Sequence, residues 1–216
     1  MEHEKDRISR AIERIRVDPP NVRDLIGAWQ EICSLVAFPY DDPESDNLDS
    51  LVRKGIANDI VQELSRALYG AIIESALTAS TTICLSARNA SVLVTQSNLV
   101  EALTHFVRSR PTNRLPAYAL TSLTNLALHP VCHEELLRHG ALEMALDYLK
   151  FLHSTNQDEI DFGLTSASLL CRLVGREESG PGPEAIRSNG ELLKKLQWLL
   201  REVLNAGPNG IVLGYM

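Results

Sequence analysis

Aromatic side chains are scarce, only 5% of the 216 residues. An all-β sandwich or barrel draws heavily on Val, Tyr, Phe and Trp, so this scarcity argues against one. Cysteine is also sparse: Cys33, Cys84, Cys132 and Cys171 are widely spaced and form no CxxC pair. Three of them fall in apolar helical patterns and Cys132 lies near a turn, which reads as reduced thiols in a cytoplasmic protein. Long apolar runs are missing as well. The longest lightly charged stretch, Ala67 to Ala87, is interrupted only by Glu74 and is rich in Ser, Thr and Ala. It predicts a fully buried helix rather than a membrane span. The opening MEHEKDR has no apolar signal core, and Glu2 stands where N-myristoylation would need glycine, so neither a secretory leader nor that lipid anchor is expected.

Catalytic signatures are equally absent. No GxSxG, Walker loop or GxGxxG occurs. Gly180-Pro181-Gly182-Pro183 reads as a flexible break, because its prolines lack the N–H groups a phosphate cradle uses. His129, Cys132, His133 and His139 are metal-capable, but the Pro130 turn separates His129 from any helix carrying His133. Leu137 occupies the place of the second histidine of an HExxH pattern. The expectation is a non-enzyme with no catalytic residue, no metal and no cofactor.

What the chain does have is leucine and alanine, 33 and 19 residues respectively. With 44% hydrophobic and 23% charged residues, it can build a core and is not disordered. Ile8, Ile12 and Ile15 give an amphipathic helix over Asp6 to Val17, ended by Asp18-Pro19-Pro20. Asn21 caps a second helix through Phe38. Residues Pro39 to Ser50 carry five carboxylates and no base, and read as a solvated acidic loop. From Leu51 onward nearly every segment is helical, with Gly and Pro falling between periodic runs.

The segments repeat. Ala119 to Ala127 is echoed 43 residues earlier by Ala76 to Ile83, and 47 residues later by Ala167, Leu170 and Leu173. Turn positions match too, at Gly55, Asn98, Gly140 and Gly190. Ala119-Leu120-x-x-Leu123-x-Asn125-Leu126-Ala127, followed by Leu136-Leu137-x-x-Gly140-Ala141-Leu142 and Leu146, resembles the armadillo-repeat family. The resemblance implies an all-α, armadillo-like right-handed α-solenoid of about four helical repeats. It divides the chain into an N-terminal capping helix pair and acidic loop (1–50), armadillo-like repeats (51–205), and a tail or truncated repeat (206–216). Each repeat would bury its apolar face only against its neighbours. The Gly207-to-Met216 ending replaces an expected third helix, so the chain is read as cut inside a repeat or as docking its tail on the last groove.

One polar pattern accompanies the repeats. Positions i, i+4 and i+8 of a helix share a side. They are Thr121, Asn125 and His129 in the central unit, Thr78, Thr82 and Ser86 in the unit before, and Ser168, Arg172 and Arg176 in the unit after, with Gln30 and Ser34 in front. Stacking would align these rows into one concave groove. In the armadillo family an asparagine at the place of Asn125 binds the main chain of an extended peptide, which an amide suits because it both donates and accepts. Here only one repeat carries it, and both tryptophans, Trp29 and Trp198, fall on apolar stripes.

The net charge of −7 argues against a nucleic-acid partner. From Arg88 to Gly140, however, five arginines face three glutamates. The expected function is therefore a non-catalytic protein-interaction scaffold or adaptor. Its protein partner would offer an acidic segment to the groove residues Thr78, Thr82, Thr121, Asn125, His129, Ser168, Arg172 and Arg176. Head-to-tail self-association, acidic front on basic middle, is the second mode. The alternative function is a chaperone cofactor or assembly factor acting on a chaperone ATPase, motor or GTPase; a metal-binding protein or enzyme is the remote one.

Overall fold

The computed structural model describes residues 2–18, 21–36, 46–66, 69–109, 114–174, 181–191, 193–194 and 196–197. Every regular element among them is helical. In chain order they are α1 (Glu2–Ile15), α2 (Val22–Val36), α3 (Asp46–Arg53), α4 (Ile56–Arg66), α5 (Gly70–Ile83), α6 (Ala87–Thr95), α7 (Leu99–Ser109), α8 (Arg114–Leu126), α9 (His133–Arg138), α10 (Ala141–Tyr148), α11 (Gln157–Val174) and α12 (Pro181–Ser188). Short 3₁₀ segments, Pro130–Cys132 and Leu149–His153, precede α9 and follow α10.

Apolar spacing explains the helices. On α1, Ile8, Ala11, Ile12 and Ile15 lie on one buried face. The Asn21 side chain accepts a hydrogen bond from the Arg23 amide (3.1 Å) at the start of α2, and Trp29 of that helix is fully buried. Helix α5 buries Ile72, Ile73, Ala76, Leu77, Ala79, Ser80 and Ile83, so most of its circumference is enclosed. No helix among the described residues is long and apolar enough to cross a membrane.

Packing follows a period of three. Helix α2 packs on α5, α5 on α8, and α8 on α11. A second row runs α4, α7, α10, and a third runs α3, α6, the turn into α9, then α12. Within each layer the last two helices pair: α1 with α2, α4 with α5, α7 with α8, α10 with α11. The result is a repeat-like all-α architecture whose leading layer contains two described helices. Gly55 and Gly140, matched in the sequence as turn glycines, both adopt left-handed backbone (φ 81° and 76°).

Three local expectations change. The acidic stretch is not loop throughout, because α3 begins at Asp46. Leu48, Leu51 and Val52 supply a buried helical face, and Asp46 and Asp49 sit in the first turn, where the helix dipole favours carboxylates. Likewise Pro181-Gly182-Pro183 opens α12 instead of breaking the chain. Prolines are tolerated in a first turn, where the amides have no partner within the helix. Gly182 is needed there, since a Cβ would collide with the Leu173 carbonyl. Finally Cys171, expected on an apolar stripe, is exposed, whereas Cys84 and Cys132 are buried.

Candidate functional site

The sequence-predicted groove residues lie on three consecutively packed helices: Thr78 and Thr82 on α5, Thr121 and Asn125 on α8, Ser168 and Arg172 on α11. All six are half-buried, as is His129 just after α8. Ser86 leaves the row. It is buried at the start of α6, where its hydroxyl accepts from the Asn89 amide (3.4 Å). Arg176 and Trp198 lie outside the described residues.

Hydrogen bonds fix the levels of these rows. Asn125 Nδ2 donates to the Thr81 carbonyl of α5 at 2.8 Å, beside Thr82. Arg172 Nη1 donates to the Thr124 carbonyl of α8 at 2.7 Å, beside Asn125. His129 Nε2 lies 3.3 Å from the Cys84 carbonyl. Thr82, Asn125 and Arg172 therefore stand at matching heights on successive helices. Burial lowers the pKa of the Arg172 guanidinium, and its carbonyl partner supplies no counter-charge.

These bonds also change what the residues offer. Asn125 and Arg172 each commit a donor to the neighbouring helix, one layer back. Thr78 and Thr121 donate to carbonyls of their own helices, Glu74 and Ala117, both at 2.8 Å. A hydroxyl whose hydrogen is so engaged presents mainly oxygen lone pairs outward. The Asn125 amide retains Oδ1, and the Arg172 guanidinium retains its other N–H groups.

Sequence reasoning missed a wider set of ties of the same kind. Cys132 Sγ meets the Ala90 carbonyl (3.7 Å) and Tyr148 Oη the Val107 carbonyl (3.4 Å). Together with those of Asn125, His129 and Arg172, these pairs are separated by 41 to 48 residues, one repeat length. The repeat period could have suggested the separation, though not which side chains would reach.

Nucleophile chemistry finds little support in the thiols. Burial pushes Cys84 up to about 12 and Cys132 up to about 11, so both are held as neutral thiols. The histidines near them are engaged locally: His133 Nε2 lies 2.9 Å from the Ala127 carbonyl, and His139 Nε2 lies 2.9 Å from Glu135. Among the described residues no three His, Cys, Asp or Glu side chains are grouped to hold a metal ion.

No protein-family model matches this chain. No curated protein matches it in sequence.

Proposed function

We propose that the chain is an armadillo-like right-handed α-solenoid of about four repeats, serving as a non-catalytic protein-interaction scaffold or adaptor. Its partner segment lies along a concave face formed by α2, α5, α8 and α11. The observation that carries this reading is the pair of cross-helix bonds, Asn125 to the Thr81 carbonyl and Arg172 to the Thr124 carbonyl. They hold three polar rows level with one another, as a groove for an extended segment requires. The ordered packing of every third helix supports the solenoid. Thr78, Thr82, Thr121, Asn125, His129, Ser168, Arg172 and Arg176 are the proposed partner-facing positions.

Site-specific photo-crosslinking tests this. A photoreactive residue at Thr82, Thr121 or Ser168 is expected to capture one discrete partner, while the same group at Gln62 or Ser91, exposed on α4 and α6, captures none. Arg172→Glu is expected to reduce capture. Equal capture from both sets of positions, or capture unaffected by Arg172→Glu, overturns the reading. A single chaperone ATPase as the captured partner would narrow scaffold to chaperone cofactor.

A further inference from the structure

A second polar feature lies away from these rows. The turn between α3 and α4 and the end of α6 enclose a cleft of about 310 Å³. No residue of α2, α5, α8 or α11 lines it. Its polar lining consists of Arg16, Arg53, Lys54, Asn58, Gln96 and Ser97, over apolar side chains of α3 and α6. All six carry an N–H or O–H group, the Ser97 hydroxyl donating to the Leu93 carbonyl, and among the described residues no carboxylate lines the cleft.

The charge arrangement is layered. Asp59 accepts from Arg16 at 2.9 Å, and Asp49 accepts from Arg88 at 2.7 Å and pairs with Arg53 at 3.4 Å. Both carboxylate side chains are only 6% exposed, whereas Arg16, Arg53 and Arg88 are 46%, 79% and 54% exposed. The acids are covered and the cations face water. Three cations line the cleft, Arg16, Arg53 and exposed Lys54; the first two pair with the covered carboxylates, and Lys54 has no ion pair among the described residues. Arg16 Nη2 also donates to the Lys54 carbonyl (2.5 Å), which pins its guanidinium over the turn.

We propose that this cleft binds a phosphate dianion. The Lys54 ammonium and the exposed Arg53 guanidinium supply positive charge for the charge of about −1.5 to −2 on a phosphate group. The N–H groups that Arg53 and Lys54 leave free suit its oxygens, and the side-chain amides of Asn58 and Gln96 are present to satisfy those that remain. The cleft is larger than a phosphate alone, so it has space for the group to which the phosphate is attached.

Amide NMR of the full chain, titrated with inorganic phosphate at ionic strength held constant with chloride, tests the site. Gly55, Ala57, Asn58 and Ser97 are expected to shift together and saturate. Arg53→Gln with Lys54→Gln should weaken that binding about tenfold. Lys150→Gln with Arg187→Gln, both exposed elsewhere, should leave it unchanged. Lys54→Gln alone, at a side chain with no ion pair among the described residues, should weaken binding without altering the unfolding midpoint, which separates ligand loss from misfolding. A phosphoserine peptide that binds more tightly than free phosphate assigns the anion to a protein partner; equal affinity assigns it to free phosphate. Shifts that never saturate, that spread over all surface cations, or that survive the Arg53/Lys54 pair of changes overturn the proposal.

Discussion

The front and the rear of the molecule are tied together by different chemistry. In front, charged pairs join the helices. Arg7 and Arg14 hold Glu31 (3.2 and 3.3 Å), Arg16 holds Asp59, and Arg88 and Asn89 hold Asp49 (2.7 and 2.9 Å). Toward the rear, side chains reach main-chain carbonyls one layer back: Asn125 to Thr81, His129 to Cys84, Cys132 to Ala90, Tyr148 to Val107, Arg172 to Thr124. Carbonyls are reached in front as well, by the Cys33 thiol at Ser75 (3.2 Å) and by Arg14 and Arg16 at Asp24 and Lys54 (3.1 and 2.5 Å), but both arginines also hold carboxylates. A carbonyl acceptor neither titrates nor depends strongly on salt, whereas a carboxylate does both. Similar packing is therefore expected to respond differently to solution conditions at its two ends.

The sharpest way to break this contrast is Asp49→Ala. Burial alone would raise the Asp49 pKa, but hydrogen bonds from Arg88 and Asn89 and the charges of Arg88 and Arg53 bring it below the ordinary carboxylate value. A depressed folded-state pKa contributes stability above the unfolded value, and that stability is lost as pH falls through the folded one. The substitution should cost about 2–4 kcal/mol near neutrality, since it removes charge-assisted bonds that join α3 to α6. Chemical denaturation at neutral pH and again in acid checks it: the penalty must shrink in acid. Amide hydrogen exchange should show α3 and α6 losing protection before α8 and α11 as pH is lowered.

A smaller effect is expected at the rear. Asn125→Ala removes the bond to the Thr81 carbonyl and should cost about 1–2 kcal/mol. Arg172→Ala should cost about 1.5–3 kcal/mol, because a charged donor is lost. Neither penalty should vary between mild acid and neutrality, nor with added salt. A penalty for Arg172→Ala that fades with salt would place the guanidinium in an ion pair instead and erase the front–rear distinction.

Part of this was legible from residue order. The Leu and Ala spacing around Asn125, and its echoes 43 residues earlier and 47 later, identified helices whose packing partner is the third one along. Helix α3 was hidden because a run of carboxylates masks Leu48, Leu51 and Val52. Asp49 is buried only because Arg88 and Asn89, some forty residues on, come to meet it, and no local pattern encodes that. Helix α12 was missed because Pro and Gly read as a break unless their place in a first turn is known. At the candidate site, residue types and rows were legible. The destination of the Asn125 and Arg172 donors was not, since it depends on the distance between layers.

The smallest effect, and the one of opposite sign, belongs to a second buried carboxylate. Glu63 of α4 is 4% exposed, yet the cation it pairs with among the described residues, Arg66, stands 3.6 Å away, and neither Glu63 Oε1 nor the neighbouring Trp29 Nε1 has a well-formed hydrogen bond among them. Burial, with the charge of Asp59, outweighs the Arg66 charge and the Trp29 indole and raises its pKa. For an acid raised in the folded state, stability is fully present below the unfolded value and is lost as pH climbs through the folded one. Glu63→Gln keeps the shape and stays neutral, so it should leave stability unchanged in acid and add up to about 1 kcal/mol above neutrality. Asp49→Asn should do the reverse, destabilising at neutral pH and converging with the parent chain in acid. Two carboxylates of similar burial would then differ in sign solely through the donors that reach them. A Glu63→Gln chain less stable than the parent at alkaline pH would show that Arg66 pairs with Glu63 closely enough to outweigh its burial.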